Sequence, residues 1–91
     1  MEIFTGNPYK EEIINDLKIR TFDICVQEEE LIWHRDKLNR YVRVLEGKNW
    51  HIQLDDQLPI RLEQNVDYFI PSLTYHRLIK GTTALKIEIK E

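Results

Sequence analysis

Short runs of alternating side-chain character fill this chain and leave room for little besides a β-sheet fold. Arg40, Val42 and Val44 alternate with Tyr41, Arg43 and Leu45. The same period returns in Trp50-His51-Ile52-Gln53-Leu54, in Leu85-Lys86-Ile87-Glu88-Ile89, and over residues 19–27 around Phe22, Ile24 and Val26. A period of two sends successive side chains to opposite faces of an extended strand. Turn-forming residues separate the runs: Glu46-Gly47-Lys48-Asn49, Leu54-Asp55-Asp56-Gln57, Glu63-Gln64-Asn65 and Lys80-Gly81-Thr82. Many short strands with regular turns predict an antiparallel sandwich or barrel. The mouth of such a barrel is a usual place for a ligand.

One segment reads differently. Tyr9, Ile13, Ile14 and Leu17 have helical spacing, Asn7 suits a cap, Pro8 suits the first helical position, and Glu11 and Glu12 suit the first turn. A short helix is therefore expected in an N-terminal segment, residues 1–18, ahead of a single domain over residues 19–91.

The bulk properties exclude several partners. Ninety-one residues allow one compact domain. Sixteen acidic residues against 13 basic ones, a formal net charge of -3, disfavour nucleic acid, which prefers a basic face. The one cysteine, Cys25, allows no intramolecular disulfide and reads as a core or interface thiol among Phe22, Ile24 and Val26. No segment approaches the roughly 18 apolar residues of a membrane span, and the first residues lack a basic leader. A cytoplasmic location without a membrane partner is expected.

The residues with ligand chemistry are two histidines. His34 lies in Trp33-His34-Arg35-Asp36, and His76 ends Pro71-Ser72-Leu73-Thr74-Tyr75-His76. His34 and Asp36 are two apart, so on a strand they share a face. With His76 brought to them, two imidazoles and one carboxylate form a ligand set for a divalent transition metal. His51 alternates with Trp50 and Ile52 and reads as a structural strand residue. Arg40 opposes the metal. Its guanidinium is always charged, and it can pair in a fork with Asp36 or receive an anionic ligand such as a carboxylate.

The same residues resemble the motifs of the cupins. His34-x-Asp36-xxx-Arg40-xxxxxx-Gly47 has the spacing of the first cupin motif, in which His-x-His is followed by a Glu and then a Gly. Asn65-xxxxx-Pro71-x-Leu73-xx-His76-xxx-Lys80 has the spacing of the second, in which glycines stand at the first and third of these positions and Asn at the last. The resemblance covers roughly residues 20 to 90. It implies an all-β jelly-roll barrel and, in metal-binding members, an ion held by three His and one Glu. By position, His34 and His76 match two of the His, Asp36 replaces the other, and Arg40 replaces the Glu. Asn65 tolerates the left-handed conformation of a motif glycine, whereas Leu73 does not do so readily, and the loop before His76 is expected to depart from the pattern.

The expectation is therefore a small-molecule-binding cupin whose metal ligands are His34, Asp36 and His76, with Arg40, Gln53 and Lys80 in the ligand pocket. The metal would be iron, zinc, nickel or manganese, and the ligand a small molecule such as a carboxylate. No catalytic residue is assigned. The alternative is a metal-free, non-catalytic cupin acting in anion binding, sensing or assembly. Trp33, Tyr41 and Leu45 are expected to form an outward apolar patch through which two copies pair as a homodimer.

Overall fold

The structure, a computed structural model, describes residues 9–28 and 31–91. Its strands are β1 (Lys10–Ile14), β2 (Leu17–Phe22), β3 (Arg40–Glu46), β4 (His51–Leu54), β5 (Ile60–Arg61), β6 (Asp67–Ile70), β7 (His76–Ile79) and β8 (Leu85–Lys90). They form two antiparallel sheets, one of five strands in the order β1-β2-β8-β3-β6 and one of three in the order β5-β4-β7. The two sheets do not close into a continuous hydrogen-bonded barrel, and the all-β, two-layer expectation holds in that coarser form.

The inner faces follow the alternation. Along β3, Arg40, Val42 and Val44 are buried while Tyr41 and Arg43 are exposed. Along β8, Leu85, Ile87 and Ile89 are buried. Trp50, just ahead of β4, and Ile52 close the core from the three-stranded sheet, joined by Phe22, Leu62 and Ile70. Trp50 is fully buried, and its indole N–H donates to the Thr83 carbonyl at 2.7 Å. The ring thus fills the centre of the core without leaving its polar atom unpaired.

The turns lie where expected. Asn49, Asp56 and Asn65 each adopt a left-handed φ, of 64°, 59° and 64°. Asn and Asp tolerate that conformation because their short side chains bond locally. Gly47 has a φ of 149°, and a Cβ there would press on Leu85 Cδ1, so the position needs glycine.

Among the described residues the expected N-terminal helix is absent. Residues 10–14 form strand β1, which pairs with β2 in register Lys10↔Thr21 through Ile14↔Leu17. The cause is the two-residue turn Asn15-Asp16, whose φ values of 51° and 66° are those of a primed hairpin turn. Such a turn matches the strand twist, and the ladder beyond it satisfies backbone groups that a single helical turn would leave open. Glu11 Oε1 accepts from Arg20 Nε directly across the hairpin at 2.6 Å. The expected capping residues, Asn7 and Pro8, lie outside the described residues.

Two further expectations change. The strand predicted over residues 19–27 ends at Phe22, because Asp23 Oδ1 accepts the N–H of Cys25 at 2.8 Å and turns the chain. Cys25 is consequently exposed, not a core thiol. The residues expected to make one apolar patch also divide. Tyr41 and Leu45 alternate away from the core of the five-stranded sheet. Trp33 lies instead beside β7, with the Arg77 guanidinium 5.0 Å from its ring centre.

Trp50→Ala removes the largest fully buried side chain and orphans the Thr83 carbonyl. Chemical denaturation should show a loss of about 3–5 kcal/mol; a loss below ~1 kcal/mol would mean that Trp50 does not carry the core.

Candidate metal centre

Two backbone hydrogen bonds build the site. The His34 N–H donates to the His76 carbonyl at 3.0 Å, and the His76 N–H donates to the His34 carbonyl at 2.8 Å. This reciprocal antiparallel bridge adds residue 34 to the free side of β7. Directly opposed residues present their side chains on the same face, and the two imidazole rings lie 4.3 Å apart at 62°. Asp36, two residues beyond His34, is brought to that face by the extended chain. His76 thus arrives as a strand neighbour of His34, not from the far wall of a barrel.

The loop that precedes His76 is tied to the Asp36 segment. The Leu73 N–H donates to the Asp36 carbonyl at 2.7 Å, and the Ser72 N–H donates to Asn39 Oδ1 at 2.8 Å. These bonds hold Leu73 at a φ of 59°. The loop keeps the left-handed turn that a motif glycine would make, contrary to expectation, and Leu73 bears the strain.

The orientation of the two rings defines the chemistry. His76 Nδ1 is 2.8 Å from the Thr74 carbonyl, and His34 Nδ1 is 3.1 Å from the Ile32 carbonyl. A carbonyl only accepts, so each Nδ1 carries the proton and each Nε2 presents a lone pair. His51 has the same local contact, with Asn49, so the contact alone is a habit of strand histidines. What distinguishes His34 and His76 is the target of Nε2. His76 Nε2 lies 3.2 Å and His34 Nε2 3.9 Å from Asp36 Oδ2.

Three electron-rich atoms therefore converge, all within 4.8 Å of one another. Asp36 Oδ2 is buried and receives no aligned hydrogen bond. Arg40 Nη1 lies 3.1 Å from it, an ion-pair distance without hydrogen-bond alignment. Burial, the foremost cause, pushes the His76 pKa below the usual histidine value, with His34 and Arg40 acting in the same direction. Asp36 and the Thr74 carbonyl oppose the shift and do not reverse it. A neutral His76 that keeps its proton on Nδ1, toward the Thr74 carbonyl, has none on Nε2 to donate to Asp36. Two imidazole nitrogens and one carboxylate oxygen are a donor set that fits a divalent cation.

Arg40 is buried on the inner face of β3. Its Nε donates to Glu91 Oε2 at 2.7 Å, while Lys18 Nζ lies 2.7 Å from Glu91 Oε1. Gln53 is directed elsewhere: its Oε1 accepts from Arg77 Nε at 3.0 Å, and its Nε2 donates to the Gln57 carbonyl at 3.0 Å. It shares the outward side of the three-stranded sheet with Arg77. Tyr75 also faces away from the cluster, with the Arg35 guanidinium 5.2 Å from its ring centre. Lys80 follows β7, and its charge acts on Asp23. Of the three expected pocket residues, only Arg40 adjoins the histidines.

Glu91 was not singled out by motif, yet the alternation reaches it. Leu85, Ile87 and Ile89 face inward, and a further step of two is Glu91. The register Tyr41↔Lys90 sets Arg40 and Glu91 across from one another.

No protein-family model and no curated protein matches the chain. Solved structures do. A cupin-2 domain containing protein from Shewanella frigidimarina superposes with a TM-score of 0.65 at 24% identity, covering 94% of this chain and 81% of that one. The chain has the cupin fold. Iron(II) HppE in complex with substrate gives a TM-score of 0.65 at 18% identity, covering 98% of this chain and 55% of that one. Hydroxypropylphosphonic acid epoxidase from S. wedmorenis gives 0.62 at 20% identity, covering 91% and 49%. The chain spans about half the length of these two. Asp36 and Arg40, which the sequence resemblance aligns with a His and a Glu of the first cupin motif, both approach the cluster. No helix among the described residues is long and apolar enough to cross a membrane.

Two outcomes follow. Leu73→Gly should stabilise the protein by about 1 kcal/mol, since glycine adopts the left-handed conformation without the Cβ clash; a loss in chemical denaturation would show the leucine side chain to be worth more than its strain. The depressed His76 pKa sets a pH dependence. The unfolded chain takes up a proton near pH 6.5 that the folded site resists, so metal-free stability should fall as pH drops through 6.5 and level off below the folded pKa. Thermal melts from pH 8 to 5 should show this slope, and His76→Gln should flatten it.

Proposed function

We propose that the protein is a metal-binding cupin that takes a small anionic ligand, with His34, Asp36 and His76 holding a divalent ion. The observation that carries this reading is the buried Asp36 Oδ2, faced by two imidazole lone pairs and given no aligned hydrogen bond. A divalent cation supplies the positive centre that these three atoms lack. Iron, zinc, nickel and manganese all suit two nitrogens and one oxygen. Iron is supported by the named HppE complex of like fold, and the cobalt(II) form of HppE suggests a convenient spectroscopic substitute.

The residues divide the remaining work. His76, buried on β7, fixes the inner side of the centre. His34, with a side chain 46% exposed, leaves the outer side open to an arriving ligand. Arg40 adds a permanent positive charge beside Asp36, which favours an anion such as a carboxylate over a neutral molecule. When bound, the metal would polarise a chelating ligand as a Lewis acid or, as iron, support oxygen chemistry. The metal-free alternative, an anion-binding, sensing or assembly module, would rely on Arg40 alone. Its weakness is that Glu91 already holds the Nε edge of that guanidinium.

Pairing of two copies belongs to the same reading. The Tyr41 and Phe69 rings pack with centroids 5.1 Å apart at a tilt of 41° on the outer face of the five-stranded sheet, and both are about half exposed. Such an aromatic pair suits a partner surface. Sedimentation at high concentration distinguishes a dimer from a monomer.

Protein purified without chelators and incubated with iron(II), cobalt(II), nickel(II), manganese(II) or zinc(II) should retain about one equivalent of at least one ion by elemental analysis. His76→Ala should retain none. Wild-type protein that binds none of the five would overturn the metal reading and leave the anion-binding module.

A further inference from the structure

Arg40 presents a contradiction within the metal centre. A guanidinium 3.1 Å from the carboxylate oxygen that should bind a cation is a competitor for that oxygen. An arginine faced by a single carboxylate normally turns two parallel N–H groups onto it. Here it does not. The contact with Asp36 is lateral and unaligned, and Oδ2 remains unsatisfied. The aligned bond of Arg40 goes to Glu91 Oε2, at 2.7 Å.

Glu91 is itself tightly held. Lys18 Nζ from β2 lies 2.7 Å from Oε1, and Arg40 Nε from β3 lies 2.7 Å from Oε2. One cation meets each oxygen, from the two strands that flank β8 in the sheet. The hydrogen bonds from Lys18, first, and Arg40 lower the Glu91 pKa. The carboxylate is thus a fixed anchor, set across from Arg40 by the β3–β8 register.

We infer that Glu91 is a positioning residue for the metal centre: it draws the Arg40 guanidinium back along the inner face of the sheet and so keeps Asp36 Oδ2 available to a cation. Lys18 orients Glu91 for this task. The series Lys18, Glu91, Arg40, Asp36 alternates in sign and sums to zero, so the pull on Arg40 carries no net charge into the site. Without Glu91, Arg40 closes on Asp36 with two aligned N–H groups, and the oxygen becomes a neutralised ion-pair partner. The inference rests on the proposed metal centre but concerns a residue outside it. Glu91 touches neither histidine.

The test is the affinity of the full chain for cobalt(II) alone, read from its visible absorption and by calorimetry. Glu91→Gln keeps the shape and removes the charge, and it should weaken cobalt(II) binding by roughly 10- to 100-fold, the range typical of partners that orient a ligand. Arg40→Met should bind at least as tightly as wild type. In the Arg40→Met background, Glu91→Gln should change affinity less than about twofold, because its only route to the metal is Arg40. This comparison also serves if the single Glu91 variant folds poorly. Equal affinity of wild type and Glu91→Gln, or an undiminished loss in the Arg40→Met background, overturns the role of Glu91 while leaving the metal centre intact. Failure of wild type and Arg40→Met alike to bind cobalt(II) overturns both. Binding by Arg40→Met but not by wild type would show that Glu91 does not restrain Arg40 enough to leave room for a cation.

Discussion

The reciprocal backbone bridge between His34 and His76 is the contact on which the site depends. It joins two chain segments far apart in sequence and does so without any side chain. Once formed, it determines which face each residue near it occupies. His34, Asp36 and His76 share one face. Trp33, Tyr75 and Arg77 turn outward, where two arginines stack on aromatic rings. A slip of one residue in this pairing would exchange the two sets and put the arginines inside. The bonds from Leu73 and Ser72 to the segment around Asp36 resist that slip from the other side.

The bridge brings the histidines together, but burial gives them their character. A histidine in water would be partly protonated near neutral pH and would repel a metal ion. Desolvation of His76 favours its neutral form, and the Thr74 carbonyl claims the proton at Nδ1. The nitrogen left over, Nε2, presents its lone pair toward Asp36. Asp36 Oδ2 then faces lone pairs on two sides and, among the described residues, has only the unaligned Arg40 contact to balance it. A purely structural pair of histidines would be expected to donate at least one N–H to that oxygen.

Much of the fold was legible because alternation is a local property. The inward set of β3, including Arg40, and the inward set of β8 can be read directly from residue order. The turns at Asn49, Asp56 and Asn65 were legible for a similar reason. The N-terminal hairpin was misread because Tyr9, Ile13, Ile14 and Leu17 satisfy a helical spacing, and the competing signal, Asn15-Asp16, occupies only two positions. Leu73 was misjudged because its conformation is imposed by hydrogen bonds from a distant segment. Gln53 was expected in the pocket, although its alternation with Ile52 directs it to the side it shares with Arg77. Glu91 was reachable by extending the period of β8 by one step, but only the β3–β8 register attaches that step to Arg40.

A basic residue at a ligand position would ordinarily end a metal site, because a guanidinium cannot lose its proton to make way for a cation. The outcome here turns on geometry within the pair. Arg40 has two carboxylates within reach and aligns with one of them. Glu91 meets its Nε directly, and Asp36 is left with a lateral contact. The distances alone, 2.7 Å and 3.1 Å, would permit two bonds, yet the alignment permits one. The substitution of Arg40 for a carboxylate therefore does not simply subtract a ligand. It places one positive charge in the wall of the cluster, paired with Glu91 behind it, and leaves His34, Asp36 and His76 convergent. A centre built in this way would hold its cation with two nitrogens and one oxygen, and would present the rest of its coordination shell to whatever anion Arg40 attracts.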